Sequence, residues 1–188
     1  MRGDMKRNKI ILVVFIFFSI YIMSGELNAR MKGGKKMQIV SPAFKNQELI
    51  PSKYTCDGAN ISPPIQWEQV PAGAQSLALI MEDPDAPSGT FFHWVLYDLP
   101  PSLTGLPEKV PSDKTLANGG KQGTNSYKKI GYGGPCPPNG THRYYFKLYA
   151  LDTKLNLDSG MTRDDLLKSI KGHILAEVEL IGKYKRQK

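Results

Sequence analysis

Arg143–Leu151 reads RYYFKLYAL. Tyr144, Phe146, Leu148 and Ala150 fall on one face; Arg143, Tyr145, Lys147 and Tyr149 fall on the other. A period of two predicts a β-strand with its apolar face against a core. Working outward, three further runs carry strand formers between turn signals. Ser76–Glu82 (SLALIME) is an apolar run of strand length, and Phe91–Asp98 (FFHWVLYD) is aromatic and β-branched until Pro100-Pro101 ends it. Gln38–Ser41 is short and stops at Pro42. Toward the C-terminus, Thr162 with Asp165 three residues later resembles a capping box, and Leu166, Leu167 and Ile170 mark the apolar face of a helix. Gly172 allows a stop, and alternation over 174–182 predicts a strand. A continued helix competes there, because Ala, Glu and Leu favour helix. The chain therefore reads as mostly β, with long Pro/Gly-rich connections at 51–66, 84–90, 100–125 and 131–141. Connections of that length in a compact domain usually carry function.

A length of 188 residues, with 40% apolar and 22% charged side chains, fits one globular domain with a core and an appendage. Two cysteines and three histidines exclude a disulfide-dense scaffold, a four-cysteine zinc site and any large histidine cluster. The formal net charge of +8 is concentrated at the ends. Residues 1–36 hold eight Lys/Arg against two acids, and Lys183, Lys185, Arg186 and Lys188 close the chain. The body between them is near neutral to slightly acidic, the opposite of what a groove for a phosphate backbone needs, so no nucleic-acid partner is expected.

Arg2, Lys6, Arg7 and Lys9 precede the run IILVVFIFFSIYIM from Ile10 to Met23. A basic start followed by roughly 14 apolar residues predicts a signal peptide, or a membrane anchor with a basic linker, over residues 1–36. The folded domain then occupies 37–188. Gly25 and Ala29 offer small residues for cleavage within 1–29, without a clean A-x-A site. Basic residues flank the run on both sides and give no orientation. The expectation is a protein exported to a periplasmic or extracellular location, or tethered to the membrane; translation from Met31 or Met37 would leave it cytoplasmic.

Polar, unusual residues gather in three segments. Asp83-Pro84-Asp85-Ala86-Pro87 follows a strand end, and its prolines fix a turn that carries two carboxylates. His93 interrupts an otherwise apolar strand between Phe92 and Trp94. Gly133-Gly134-Pro135-Cys136-Pro137-Pro138-Asn139-Gly140-Thr141 is a stiff loop that delivers His142, Arg143 and Tyr144 to the start of a strand. Imidazolium, guanidinium and phenol donate to phosphate oxygens, so two Asp, two His, one Arg and one Tyr at strand ends predict a small pocket for a phosphate-like group.

These segments also carry a resemblance. CDGANISPPIQW (56–67), DPDAP (83–87), HWV (93–95), GGPCPPNGTHRYYF (133–146) and HILAEVELIGKYKR (173–186), in that order, are similar to the phosphatidylethanolamine-binding protein family. They fit best its bacterial and archaeal Raf kinase inhibitor-like branch. The resemblance spans about residues 38–186. It implies a single antiparallel β-sandwich-like domain with one or two peripheral helices, and a shallow anion pocket near the sheet ends. In relatives that pocket accepts phosphate, acetate or a phosphoethanolamine headgroup. By motif, Asp83, His93, His142 and Tyr144 would line it; Asp85 and Arg143 would support its loops; Pro87 and Gly134 would shape its rim. Phe92 departs from animal members, which often carry a second adjacent histidine there. The chain also ends without their long C-terminal helix, so regulated kinase binding is not carried over.

The expected function is therefore non-enzymatic binding of a small anion or phosphorylated ligand, including a phospholipid headgroup, with no cofactor. The alternative is an interaction protein that inhibits a protease or kinase through its loops. A hydrolase or phosphoesterase is the leading enzyme reading. Ser41, Ser62 and Ser88 are available to it, but no G-x-S-x-G elbow is present. Asp83, Asp85, His93 and His142 are plausible metal-ligand types without a recognised spacing. Gly119-Gly120-Lys121 lacks the order of a phosphate loop, and Pro135 and Pro137 prevent the 131–135 glycines from opening a dinucleotide-binding helix. Cys56 and Cys136 both fall in loops that the resemblance places around the pocket. Export would permit a disulfide between them, whereas a cytosolic location favours two reduced thiols.

Overall fold

The structure is a computed structural model that describes residues 36–187. The expectations for the N-terminal segment lie outside the described residues. In chain order the elements are β1 (Gln38–Val40), β2 (Ile65–Glu68), β3 (Ser76–Asp83), β4 (Phe91–Leu99), β5 (Gly105–Leu106), β6 (Lys121–Gln122), β7 (His142–Leu151), helix α1 (Arg163–Ile170) and β8 (Ile174–Tyr184). They form two antiparallel sheets, one ordered β1-β2-β5 and the other β6-β4-β3-β7-β8. The mostly β, antiparallel architecture with a peripheral helix is the one the sequence predicts. Strand, not helix, follows Gly172.

All eight residues of β3 are buried, because both faces of the larger sheet are covered. On one face Leu77, Leu79, Met81, Trp94, Leu96, Phe146 and Leu148 pack with Ile39, Ile65 and Trp67 of the smaller sheet. On the other, Ala78, Ile80, Val95, Tyr97 and Tyr149 lie under Leu166 and Ile170 of α1, joined by Leu155, Leu157 and Met161. Its period puts Tyr149 on the polar face of the strand; α1 converts the far end of that face into a second core. The helix is fixed there by its cap: the Thr162 hydroxyl accepts the Asp165 N–H and the Asp165 carboxylate accepts the Thr162 N–H, each at 3.3 Å.

β2, β5 and β6 fall within or beside stretches expected to be irregular. They are two to four residues long, and their pairing partners rather than local pattern make them strands.

Cys56 and Cys136, 80 residues apart, are joined by a disulfide with a Cα–Cα distance of 5.4 Å. The same junction carries the Cys56 N–H to the Pro135 carbonyl (3.1 Å) and the Tyr132 hydroxyl to the Tyr54 carbonyl (2.7 Å). A loop of that length gives an entropic stabilisation of about 4.5 kcal/mol in the chain-entropy model. The double variant Cys56→Ser/Cys136→Ser should therefore lose about 2–5 kcal/mol in urea unfolding at pH 7. A loss below about 1 kcal/mol would show that the cross-link does not constrain the unfolded chain.

Candidate functional site

β3 runs out at Asp83, opposite Phe91 at the start of β4, while His142 opens β7 opposite Tyr184 at the end of β8. One end of the larger sheet thus gathers the starts and ends of four strands. In the turn after β3, the Asp83 Oδ1 accepts the Asp85 N–H at 2.9 Å, a local bond typical of aspartate before a turn. Its Oδ2 lies 2.7 Å from the His142 Nδ1, and both side chains are under a tenth exposed. Two residues on, Asp85 grips Arg143: its carboxylate accepts the backbone N–H and Nε at 2.9 Å each and Nη2 at 2.6 Å. Neighbours in a strand point to opposite sides. The two carboxylates of the turn therefore hold His142 inward and Arg143 outward. That fork pulls the Asp85 carboxyl down to about 2, chiefly through the hydrogen bond from Arg143.

His93 reaches the site through an irregularity in β4. Met81 pairs with Trp94 and Glu82 pairs with Phe92, so His93 is an extra residue in the ladder. Strict alternation would aim Trp94 and His93 to opposite faces. With the bulge, Phe92 faces the Arg163 guanidinium at 4.6 Å on the helix side, while His93 packs its ring on Tyr144 at 5.2 Å, on the face where Trp94 is also buried. The His93 Nδ1 sits 2.7 Å from the Gly133 carbonyl, and the Gly133 N–H returns to the His93 carbonyl at 2.9 Å. A carbonyl only accepts, so Nδ1 carries the proton. Burial pushes the His93 pKa down to about 4, against the smaller opposing pulls of the Gly133 carbonyl and the Asp83 charge, so the ring is neutral at pH 7.

The loop opposite needs its glycines for close approach. A Cβ on Gly133 would stand 2.6 Å from the Tyr127 ring, and one on Gly134 would stand 2.4 Å from the Asn60 Oδ1 and 2.7 Å from the Tyr54 carbonyl oxygen. The Gly134 N–H donates to that Asn60 oxygen at 2.8 Å.

Between these walls is a cleft of about 420 Å³, lined by Asp83, His93 and His142, by residues 86–91, by Ser126 and Tyr127, and by residues 136–138. It is within the usual range for small-ligand sites. A larger hollow of about 750 Å³ lies on the smaller sheet, but among the described residues Glu68 is the only ionisable one lining it. The smaller cleft holds the chemistry.

Of the residues singled out in the sequence, Asp83, His93, His142 and Pro87 line the cleft. Tyr144 stands behind His93, fully buried, its hydroxyl without a hydrogen-bond partner among the described residues. Burial, then the Asp83 charge, raises its pKa, so the hydroxyl stays protonated. Asp85 and Arg143 engage each other beside the cleft, and Gly134 supports the wall from behind. Of the four candidate metal ligands, Asp85 is turned to Arg143, Asp83 and His142 are tied to each other, and His93 is held by the Gly133 carbonyl; among the described residues no cluster of three such groups converges. Tyr127 and Phe91 were not singled out. Tyr127 stands at the rim, edge-on to Phe91 at 4.7 Å, its hydroxyl donating to the Gly134 carbonyl at 3.2 Å. No motif announces it; a turn closed by Asn125 places it.

Residues 40–185 match the phosphatidylethanolamine-binding protein family. The chain belongs to that family. Among relatives, a UPF0098 protein of Methanothermobacter thermautotrophicus is 53% identical over 80% of this chain and 99% of its own length. One from Aquifex aeolicus is 51% identical over 82% of this chain and 91% of its own. Of solved structures, a phosphatidylethanolamine-binding protein homologue from Chlamydia trachomatis superposes with a TM-score of 0.75 at 43% identity, covering 81% of this chain and 99% of that one. YbcL of Escherichia coli, described as a member of the mammalian family, gives 0.76 at 32% identity, covering 81% and 100%. Family membership makes this a binding protein in general terms.

The depressed His93 pKa has a consequence for stability. Between about pH 4 and the ordinary 6.5 the unfolded chain binds a proton that the folded chain refuses, so this contribution is complete at pH 7 and is lost on acidification. Going from pH 7 to 4.5, it should remove on the order of 2–3 kcal/mol. His93→Asn, which keeps a donor toward Gly133, should lose markedly less over the same interval, as read by urea unfolding at the two pH values. Equal losses in both proteins would assign the acid sensitivity to other groups.

Proposed function

We propose that the protein binds a small anionic or phosphorylated group, such as a phosphoethanolamine headgroup, in this cleft without turning it over. The observation that carries the reading is the pair of imidazoles brought into one buried-sided cleft, His142 held by Asp83 and His93 held by the Gly133 carbonyl. Both rings spend Nδ1 on the protein, and no protein partner engages either Nε2 among the described residues, so both are left for a ligand. The cleft is sized for a headgroup, and the family's name supports a phosphate ester as the natural class. Of the cleft's hydroxyls, that of Ser126 is engaged by the backbone, accepting the Phe92 N–H at 2.9 Å.

We place the protein outside the cytoplasm, exported or held at a membrane. The basic and apolar start of the chain supports this, as does the Cys56–Cys136 disulfide, a bond that persists in oxidising compartments.

Calorimetric titration with phosphoethanolamine at pH 6 tests the site. Wild type should bind saturably, and His142→Ala should weaken binding at least about tenfold, the scale of losing a charge-assisted hydrogen bond. Unchanged affinity in both His142→Ala and His93→Ala would remove the ligand from this cleft.

A further inference from the structure

We propose that the cleft selects the protonated, singly charged form of a phosphate monoester, with the His142 Nε2 donating to one oxygen and the His93 Nε2 accepting from the P–OH group. The inference rests on the anion-binding reading above and concerns which form of the anion is bound.

Among the described residues, the cleft has no fixed positive charge to offset a dianion. Neither Lys nor Arg is among its lining residues. Arg143, next in the chain to His142, is turned outward and forked onto Asp85. The one carboxylate in that lining is Asp83, which is 3% exposed and faces the His142 Nδ1. A fully ionised phosphate placed there would add two negative charges beside a buried carboxylate, which favours uptake of a proton.

Hydrogen-bond polarity leads to the same result. The Gly133 carbonyl fixes the His93 proton on Nδ1, so the neutral ring offers a lone pair at Nε2. A phosphate without a proton presents only acceptors, and a lone pair facing it would be left unmatched. A P–OH group matches it. His142 differs: its Nδ1–H faces the Asp83 carboxylate, so its Nε2 is a donor whenever the ring carries both protons.

The ionisable groups around these rings come from every packed element. Around His142 are Asp83 on β3, Asp85 in the following turn, Arg143 alongside, His93 on β4, and Lys183 and Tyr184 on β8, the Tyr184 hydroxyl being bonded to Asp57. Around His93 are Asp83, His142, Tyr127 and Tyr144. Among the described residues, the Lys and Arg side chains of this set are Arg143 and Lys183, and neither lines the cleft.

The test compares methyl phosphate with methyl sulfate, two anions of nearly the same shape of which the second has no proton to give. Calorimetry on the full chain at pH 6 and pH 8, in buffers of different ionisation enthalpy, reads affinity and proton uptake together. Methyl phosphate should bind at least about tenfold more tightly than methyl sulfate at pH 6, since a site built around a donor rejects the analogue lacking it. Its affinity should fall at least about tenfold by pH 8, as the monoanion is depleted above a second pKa of about 6. Binding at pH 8 should draw a proton from the buffer. In His93→Phe, which removes the acceptor, the preference over methyl sulfate should shrink to less than about threefold. Equal affinity for the two anions, or methyl phosphate binding that is as tight at pH 8 with no proton uptake, overturns the inference while leaving an anion site in place. If neither anion nor phosphoethanolamine binds at either pH, the anion-binding reading falls, and this inference with it.

Discussion

β3 is buried along its whole length, between β4 and β7 and between two apolar layers, and that burial fixes the register of the larger sheet. A slip of one residue would carry Leu77, Leu79 and Met81 to the helix side and Ala78 and Ile80 to the other, exchanging large and small side chains in both cores. Because β3 cannot slip, Asp83 always emerges at the same height, beside Phe91 and within reach of the first residue of β7. The pairing of Asp83 with His142 follows from the strands, and the orientation of His142 follows from that pairing. Asp85 then takes up Arg143, so the same turn decides which of two adjacent basic side chains faces the cleft.

The strands that carry strong alternation or unbroken apolar runs were legible in the sequence, as was α1 from its capping box. β7 was read from Arg143 to Leu151 and runs one residue further back, to His142. Of the short strands, β1 was legible as Gln38–Ser41, whereas β2, β5 and β6 were not, because two to four residues carry too little period to be distinguished from loop. Tyr149 was assigned to a polar face, since local pattern cannot reveal that a helix some fifteen residues later will cover it.

At the site, the segments were legible and the geometry was not. Asp83, His93 and His142 were singled out for an acid in a proline-fixed turn, a histidine among aromatics and a histidine delivered by a stiff Gly/Pro loop. What no local reading supplies is the bulge that aims His93, since it arises from the pairing of β4 with β3. Tyr144 was grouped with the lining residues, yet it lies a layer deeper, behind the His93 ring. Tyr127 went unnoticed for a related reason: its importance comes from where the Asn125 turn delivers it.

The wall formed by residues 133–138 combines two glycines that cannot be enlarged, three prolines and a disulfide to a distant loop. Such a segment has few conformations available even before a ligand arrives. The entropy of ordering it is lost during folding, not during recognition, so a ligand of only a few atoms meets a surface already in shape. For so small a guest, with little contact area to offset the ordering of a floppy loop, a rigid host is what makes detectable residence time attainable.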